Sequence, residues 1–289
     1  KLVAIWFLDA AERPMAVGFY TSAPALGGVL SLLLTNSVLL PVLGGWRSVL
    51  LAESAVVLLA GVVWLVVSGR APAPPRDLAA TVWTADRGAP SVRMLLRSHG
   101  VQLAMGLGIG TFFITQGLAA WLPDILEQRS GLSTTAASNW AAVSLAVGLG
   151  SRLVMPGLAT AARRSRMLQV TMGVLVVAMV ALAVGHAAVG VAAAVVLGLR
   201  SVLNSLVVVL LMEAEHVSAA NAATAYGLWF SVVEVGGALG PVAIGALGDS
   251  GPGFEGALVL MAAMLVLMMT AVSVADRRHP RVGVPAAAV

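Results

Sequence analysis

Arg200 stands in the run AAAVVLGLRSVLNSLVVVLLM, Ala192 to Met212, which is apolar almost throughout. A guanidinium presents a planar fork of donors that matches a carboxylate or another oxyanion. Inside an apolar span such a charge must face the interior of a helix bundle and find a partner. Asn204 follows one helical turn later on the same stripe, and Ser201 and Ser205 flank it. A second charge lies in SVVEVGG, where Glu234 is placed mid-way along its own apolar run with Ser231 one turn before it.

Two chemistries are open. In one, Arg200 and Glu234 lie at similar depth on sequential antiparallel helices, pair, and hold those helices together. In the other, Arg200 faces a central cavity and binds an anion, and Glu234 carries a proton, because burial raises a carboxyl pKa. The two overlap if an anion competes with Glu234 for Arg200. Insertion itself is no obstacle. A central arginine costs about 2.5–3.5 kcal/mol, and about a dozen Leu and Val at roughly −0.3 to −0.6 kcal/mol each offset it.

The elements that position these residues follow from composition. Of 289 residues, 59% are apolar and 10% charged, and the mean hydropathy is +0.96. Soluble domains carry about 25% charged residues, so lipid is the expected solvent. The fold class expected is all-α, a polytopic membrane helix bundle. About eight complete spans are legible, at roughly 16–40, 46–68, 101–123, 135–158, 167–185, 187–212, 222–247 and 256–275, preceded by a stub at 1–7. The chain opens on Lys1 with an apolar run already under way, which reads as a fragment.

The long connection from Ser68 to Ser98 is rich in Pro and Arg and reads as a linker between two bundles. It holds Arg70, Arg76, Arg87, Arg93 and Arg97. The 158–167 connection adds Arg163, Arg164 and Arg166, and the tail adds Arg277, Arg278 and Arg281. With alternating spans these fall on one side, and the opposite loops hold only Arg47 and Arg129. Linker and C-terminus are therefore expected in the cytoplasm. The net charge of +4 is not a nucleic-acid signal, because the arginines sit between apolar runs. No cysteine is present, the four histidines lie in or beside loops without metal spacing, and no cofactor motif is found. The lone Lys against sixteen Arg suggests a GC-rich bacterial source.

AVGFYTSAPALGGVL (Ala16–Leu30) and AYGLWFSVVEVGGALG (Ala225–Gly240) share their glycine and serine spacing at a shift of 209 residues. This reads as a parallel repeat related by an axis along the membrane normal, an arrangement used by transporters. Gly236 with Gly240, and Gly106 with Gly110, form GxxxG patterns that let helix backbones approach closely. Trp46, Trp121 and Trp140 fall near span ends, as interfacial anchors do.

WFLDAAERPMAVGFYTSAPALGG, GGWRSVLL, the basic linker, LAAWLPDILEQRSGLS and GLWFSVVEVGGALGPVAIGALGD together resemble the major facilitator superfamily. That resemblance implies twelve helices in two six-helix halves around a central site. On its map the chain starts at the end of helix four. Residues 1–68 are then a remnant of the N-terminal bundle, 69–99 a cytoplasmic linker, 100–276 the C-terminal six-helix bundle and 277–289 a cytoplasmic tail. The family's basic signature between helices two and three would lie upstream. Its echo falls at GLATAARRSR, where Ala161 replaces the usual acid. The AAWLPDILEQRSGLS stretch is similar to the cyanate and nitroimidazole transporter-like branch.

In that family the first helix of the second half lines the cavity. The resemblance therefore adds Thr111, Thr115 and Gln116 to Arg200, Asn204, Glu234 and Ser231 as candidate solute contacts. Thr111 and Thr115 could equally bond their own helix's carbonyls. The function implied is secondary active transport of a small, anionic solute by alternating access, with protons as a candidate co-substrate, in the bacterial plasma membrane. No catalytic residue, metal, cofactor or nucleic acid is implied, and a monomer is the favoured state. The alternatives are a channel, a membrane enzyme or an inactive transporter fragment.

Overall fold

A computed structural model describes residues 23, 26–70, 92–158, 163–218, 221–251 and 253–278. The stub at 1–7, most of the first repeat copy, most of the linker and the tail beyond 278 lie outside these residues. Every described regular element is helical. Among the described residues seven helices are long and apolar enough to cross a membrane, by length and composition. The chain divides into two compact units, 1–89 and 90–289.

In the first unit, α1 spans Leu26–Leu43 and α2 spans Trp46–Arg70. Gly44, at φ 71°, closes α1 in the left-handed conformation that glycine takes without strain. Thr35–Leu39 are wound as a π-helix, with the Leu40 amide donating to the Thr35 carbonyl. Pro41 follows directly, and a residue that cannot donate is a common neighbour of such a bulge. Thr35 Oγ1 donates to Glu53 Oε1 at 2.9 Å, tying the hairpin. Outside that bond the hairpin presents Leu and Val almost all round, and Leu51, Val57 and Leu65 are each at least 70% exposed. A helix apolar on every side belongs in lipid or inside a bundle.

The second unit begins with a short helix α3, Val92–Arg97, in a stretch that reads as linker in the sequence. Leu95 anchors it, fully buried. The six long segments are α4 (His99–Ser130), α5 (Thr134–Leu158), α6 (Arg164–Val184), α7 and α8 (Ala187–Leu197 and Arg200–Met212), α9 (Ala222–Gly248) and α10 (Gly253–Arg278). α5 coincides with the span expected at 135–158. Its Ser138 and Ser144 are buried inside the unit. α4 runs seven residues beyond its expected end, through Pro123, because Ile125 and Leu126 continue its buried stripe. The 187–212 span is not one helix but two.

α4 is the hub. α9, α8, α5, α7 and α10 all pack on it, and α6 packs against α10 and α7. The closest seam is α4 with α9. A Cβ at Gly236 would collide with the carbonyl oxygen of Ile109, and one at Gly240 with that of Phe113. The GxxxG at Gly236 and Gly240 is therefore a backbone-to-backbone contact one turn long on each helix. The pattern at Gly106 and Gly110 is not. Gly106 meets nothing within 4 Å, and Gly110 accommodates the Met268 side chain of α10. Gly108 and Gly117 are the α4 glycines that face α9, through Trp229, Val233 and Ile244. Trp229 is buried and its Nε1 donates to the Ala104 carbonyl at 2.9 Å. Trp121, expected as an interfacial anchor, donates to the Pro241 carbonyl at 2.8 Å and so ties α4 to α9.

Ion pairs close the ends of the bundle. Arg129 reaches Glu255 at 3.4 Å and donates to the Ala183 carbonyl, and Arg164 pairs with Glu213. Asn221 is fully buried in the turn before α9, where its Oδ1 accepts from the Ser218 amide at 2.7 Å.

Candidate functional site

The break between α7 and α8 explains why an arginine sits there. Around it the amides of Gly198, Leu199, Ser201 and Val202 bond three residues back, to Val195, Val196, Gly198 and Leu199. The Ser201 amide, which a continuous α-helix would give to Leu197, goes to Gly198 instead. The Leu197 carbonyl is released inside the bundle, where an unpaired acceptor is costly. Arg200 Nη1 donates to it at 2.9 Å and to Ser144 Oγ of α5 at 3.0 Å. Arg200 is 1% exposed.

α5 crosses the break at close range. A Cβ at Gly198 would lie 2.5 Å from the Ser144 carbonyl oxygen, and one at Gly148 would lie 2.6 Å from Ser201 Oγ. Small residues on both sides let Ser144 reach the guanidinium. One turn further along α8, Asn204 Nδ2 lies 3.4 Å from Thr115 Oγ1 of α4. Arg200, Asn204 and Thr115 thus form one polar seam through α8.

Glu234 is not part of it. It is exposed on α9, where its Oε2 lies beside Gly237 with Gln116 and Phe112 of α4. The pairing of Arg200 with Glu234 that their sequence positions suggest does not form. α8 and α9 are consecutive in the chain, yet each packs chiefly on α4 and only weakly on the other. Ser231 is exposed and its Oγ bonds its own helix at Gly227, 2.9 Å away. Thr111 is buried with its Oγ1 on the Gly108 carbonyl at 3.0 Å, a local helix bond. The seven candidates therefore separate into a buried seam (Arg200, Asn204, Thr115), an exposed α4–α9 edge (Gln116, Glu234, Ser231) and one core hydroxyl (Thr111).

Sequence reasoning missed Arg152. It sits on α5, two turns beyond Ser144, half-buried, and its Nε is buried without a hydrogen-bond partner. The signal was the same as for Arg200: an arginine inside a run of Leu, Val and Gly. Among the described residues no carboxylate forms an ion pair with either arginine, although Arg129 and Arg164 both have one.

A sequence profile of the Major Facilitator Superfamily matches residues 1–217, three quarters of the chain. This chain belongs to the Major Facilitator Superfamily. Membership and the apolar helices together make it a multi-pass membrane protein of a transporter family. A search of curated proteins finds no match. For a superfamily transporter a buried arginine without an acid partner is a candidate solute contact rather than a catalytic group. A concavity of about 740 Å³ lies elsewhere, between α6 and α7. Its walls are Val, Ala and Gly, including Val170, Val174 and Ala192, so it offers no group to fix a polar solute.

Proposed function

We propose that this chain is a secondary active transporter that moves a small anionic solute across the bacterial plasma membrane by alternating access. The observation that carries the reading is Arg200: a cation 1% exposed in an apolar helix pair, with no carboxylate partner among the described residues. A charge in that position marks a solute path by default. Asn204 and Thr115 extend the polar seam along α8 and α4. On this reading two bundles, one on each side of the 69–99 linker, rock about a midplane site. The arginine-rich linker and tail face the cytoplasm. Glu234, which does not pair with Arg200, is the candidate carrier of a coupling proton.

The test is uptake into proteoliposomes holding the purified protein. Radiolabelled small carboxylates and inorganic oxyanions are offered with and without an imposed pH gradient. Saturable uptake, competed by unlabelled anion, is expected. Gradient dependence that disappears in Glu234→Gln assigns the proton. Conductance far above carrier turnover identifies a channel instead, covalent conversion of the solute identifies an enzyme, and no flux of any solute removes the transporter reading for this chain.

A further inference from the structure

α9 carries a different chemistry on its exposed side. Tyr226, Phe230 and Glu234 follow one another at four-residue steps and so share a stripe. Tyr226 is 42% exposed and Phe230 41%, and Glu234 is exposed one turn further on. The rings are already assembled. Tyr226 and Phe230 stack with centroids 6.0 Å apart and planes 21° apart. Phe112 of α4 stands edge-on to Phe230 at 5.9 Å and to the buried Trp229 at 5.7 Å. The carboxylate closes the row. A Cβ at Gly237 would lie 3.1 Å from Glu234 Oε2, 3.4 Å from Gln116 Cγ and 3.6 Å from Phe112 Cδ1. Acid, amide side chain and ring therefore converge on one bare stretch of α9 backbone. Glu234 stands near the middle of Ala222–Gly248, an apolar helix. A carboxylate at that depth is costly unless it meets a partner or a solute path. Among the described residues no ion pair reaches it.

We infer that this α4–α9 edge binds an organic cation. An ammonium group sits on Glu234 between Gln116 and Phe112, and its apolar or aromatic body lies along Phe230 and Tyr226. The negative face of an aromatic ring attracts a cation, most strongly where water is excluded. The carboxylate sets the sign of the ligand, and the row of rings beside it requires a body as well as a charge. A bare inorganic cation would meet Glu234 and leave the rings unused. An anion would be repelled by Glu234, so this edge does not duplicate the Arg200 seam. The inference goes beyond the transporter reading and does not rest on it, because it concerns binding at α9 rather than flux past α8.

The test is equilibrium dialysis of the full chain in detergent with radiolabelled benzyltrimethylammonium. Saturable binding is expected, displaced by the unlabelled probe but not by benzoate, which keeps the ring and reverses the charge. Glu234→Gln should weaken binding about tenfold or more, because a charge-assisted contact is lost. Phe230→Leu should weaken it about threefold, and Phe230→Tyr, which keeps the ring face, should bind as the parent does. Both side chains are exposed, so all three variants should elute from size-exclusion chromatography at the parent's position. The inference falls if binding does not saturate, if benzoate displaces the probe as well as unlabelled probe does, or if Glu234→Gln binds like the parent. It falls equally if Phe230→Leu binds like the parent, because the rings are then packing alone.

Discussion

Two seams inside the second unit are built by opposite means. Along α4 and α9, Gly236 and Gly240 press against the backbone at Ile109 and Phe113, and two tryptophan N–H groups bond across to carbonyls. Its one charge, Glu234, lies on the exposed edge beside Gln116. Along α5 and α8 the backbones also approach, at Gly148 and Gly198, but the helix is broken there and a guanidinium fills the gap. In the first seam the two buried tryptophan N–H groups are both paired. The second keeps unpartnered groups: Arg200 Nε, Arg152 Nε and Asn204 Oδ1. Buried groups left without partners are costly, and the proposed solute path is the seam that retains them.

The largest effect is expected where there is no slack. Gly240→Val puts a side chain against the Phe113 carbonyl, which cannot rotate away as a side chain could. Overpacking of this kind costs about 1–3 kcal/mol, and the upper end is expected here. The loss of monodisperse protein in size-exclusion chromatography, for Gly240→Val and for Gly236→Val, measures it. By contrast Gly106→Ala, in the pattern that meets nothing within 4 Å, should leave the yield unchanged. Equal losses at Gly106 and Gly240 would erase the distinction drawn between the two patterns.

Second in size is the broken helix. Arg200→Met keeps most of the volume and leaves the Leu197 carbonyl and the Ser144 hydroxyl without their donor. An unsatisfied buried group costs about 1–3 kcal/mol, so a stability loss of roughly 2 kcal/mol is expected, read by thermal unfolding in detergent. Arg200→Lys retains a donor and should lose less than half of that. A loss as large for Lys as for Met would mean that the fork, not the donor, caps the break.

The helical spans were legible because the bilayer imposes a length, and a run of Leu, Val and Ala reports it directly. Most of the described spans end close to where the apolar runs end, α4 being the exception at its C-terminal end. α5 was read to within a residue, at 135–158 against the observed 134–158. The site was half legible. An arginine among leucines is visible in one dimension; Arg200 and Asn204 were found by that rule and by helical spacing, and Thr115 came only from the family resemblance. The wrong partner for Arg200 came from treating consecutive helices as neighbours. Packing on α4 decides which residues meet, and sequence order does not record it. The break at Gly198 was invisible for a related reason: GLGL occurs in unbroken spans too, and only the amides turning to residues three back reveal that a carbonyl has been released.

A smaller effect is expected at Asn204. Its Nδ2 bond to Thr115 is long, at 3.4 Å, and its Oδ1 has no partner. Interhelical hydrogen bonds in membranes average about 0.6 kcal/mol, so Asn204→Leu should change stability by no more than that. If the seam is a solute path, the same variant weakens half-saturation in the vesicle assay while the fold survives. A stability loss well above about 0.6 kcal/mol would make Asn204 part of the helix packing and move it to the closed kind of seam.

The smallest effect is the sharpest test of how the two seams divide the charges. If Arg200 and Glu234 belong to different seams, with α4 between their helices, then Arg200→Met and Glu234→Gln should act independently. Sites without shared partners add to within about 0.3–0.5 kcal/mol. A buried pair broken on one side costs about 3–5 kcal/mol, and the second substitution then restores much of it. The double-mutant cycle separates these outcomes without reference to transport. Unfolding free energies of the parent, the two single variants and the double variant should give a coupling term indistinguishable from zero. Glu234→Gln alone should leave stability nearly unchanged, because its carboxylate is exposed on α9. A coupling above about 1 kcal/mol would show that the two charges meet after all, in a conformation other than this one. In that case the acid is the competitor that an incoming anion displaces from Arg200, and the α8 seam is closed at rest rather than open.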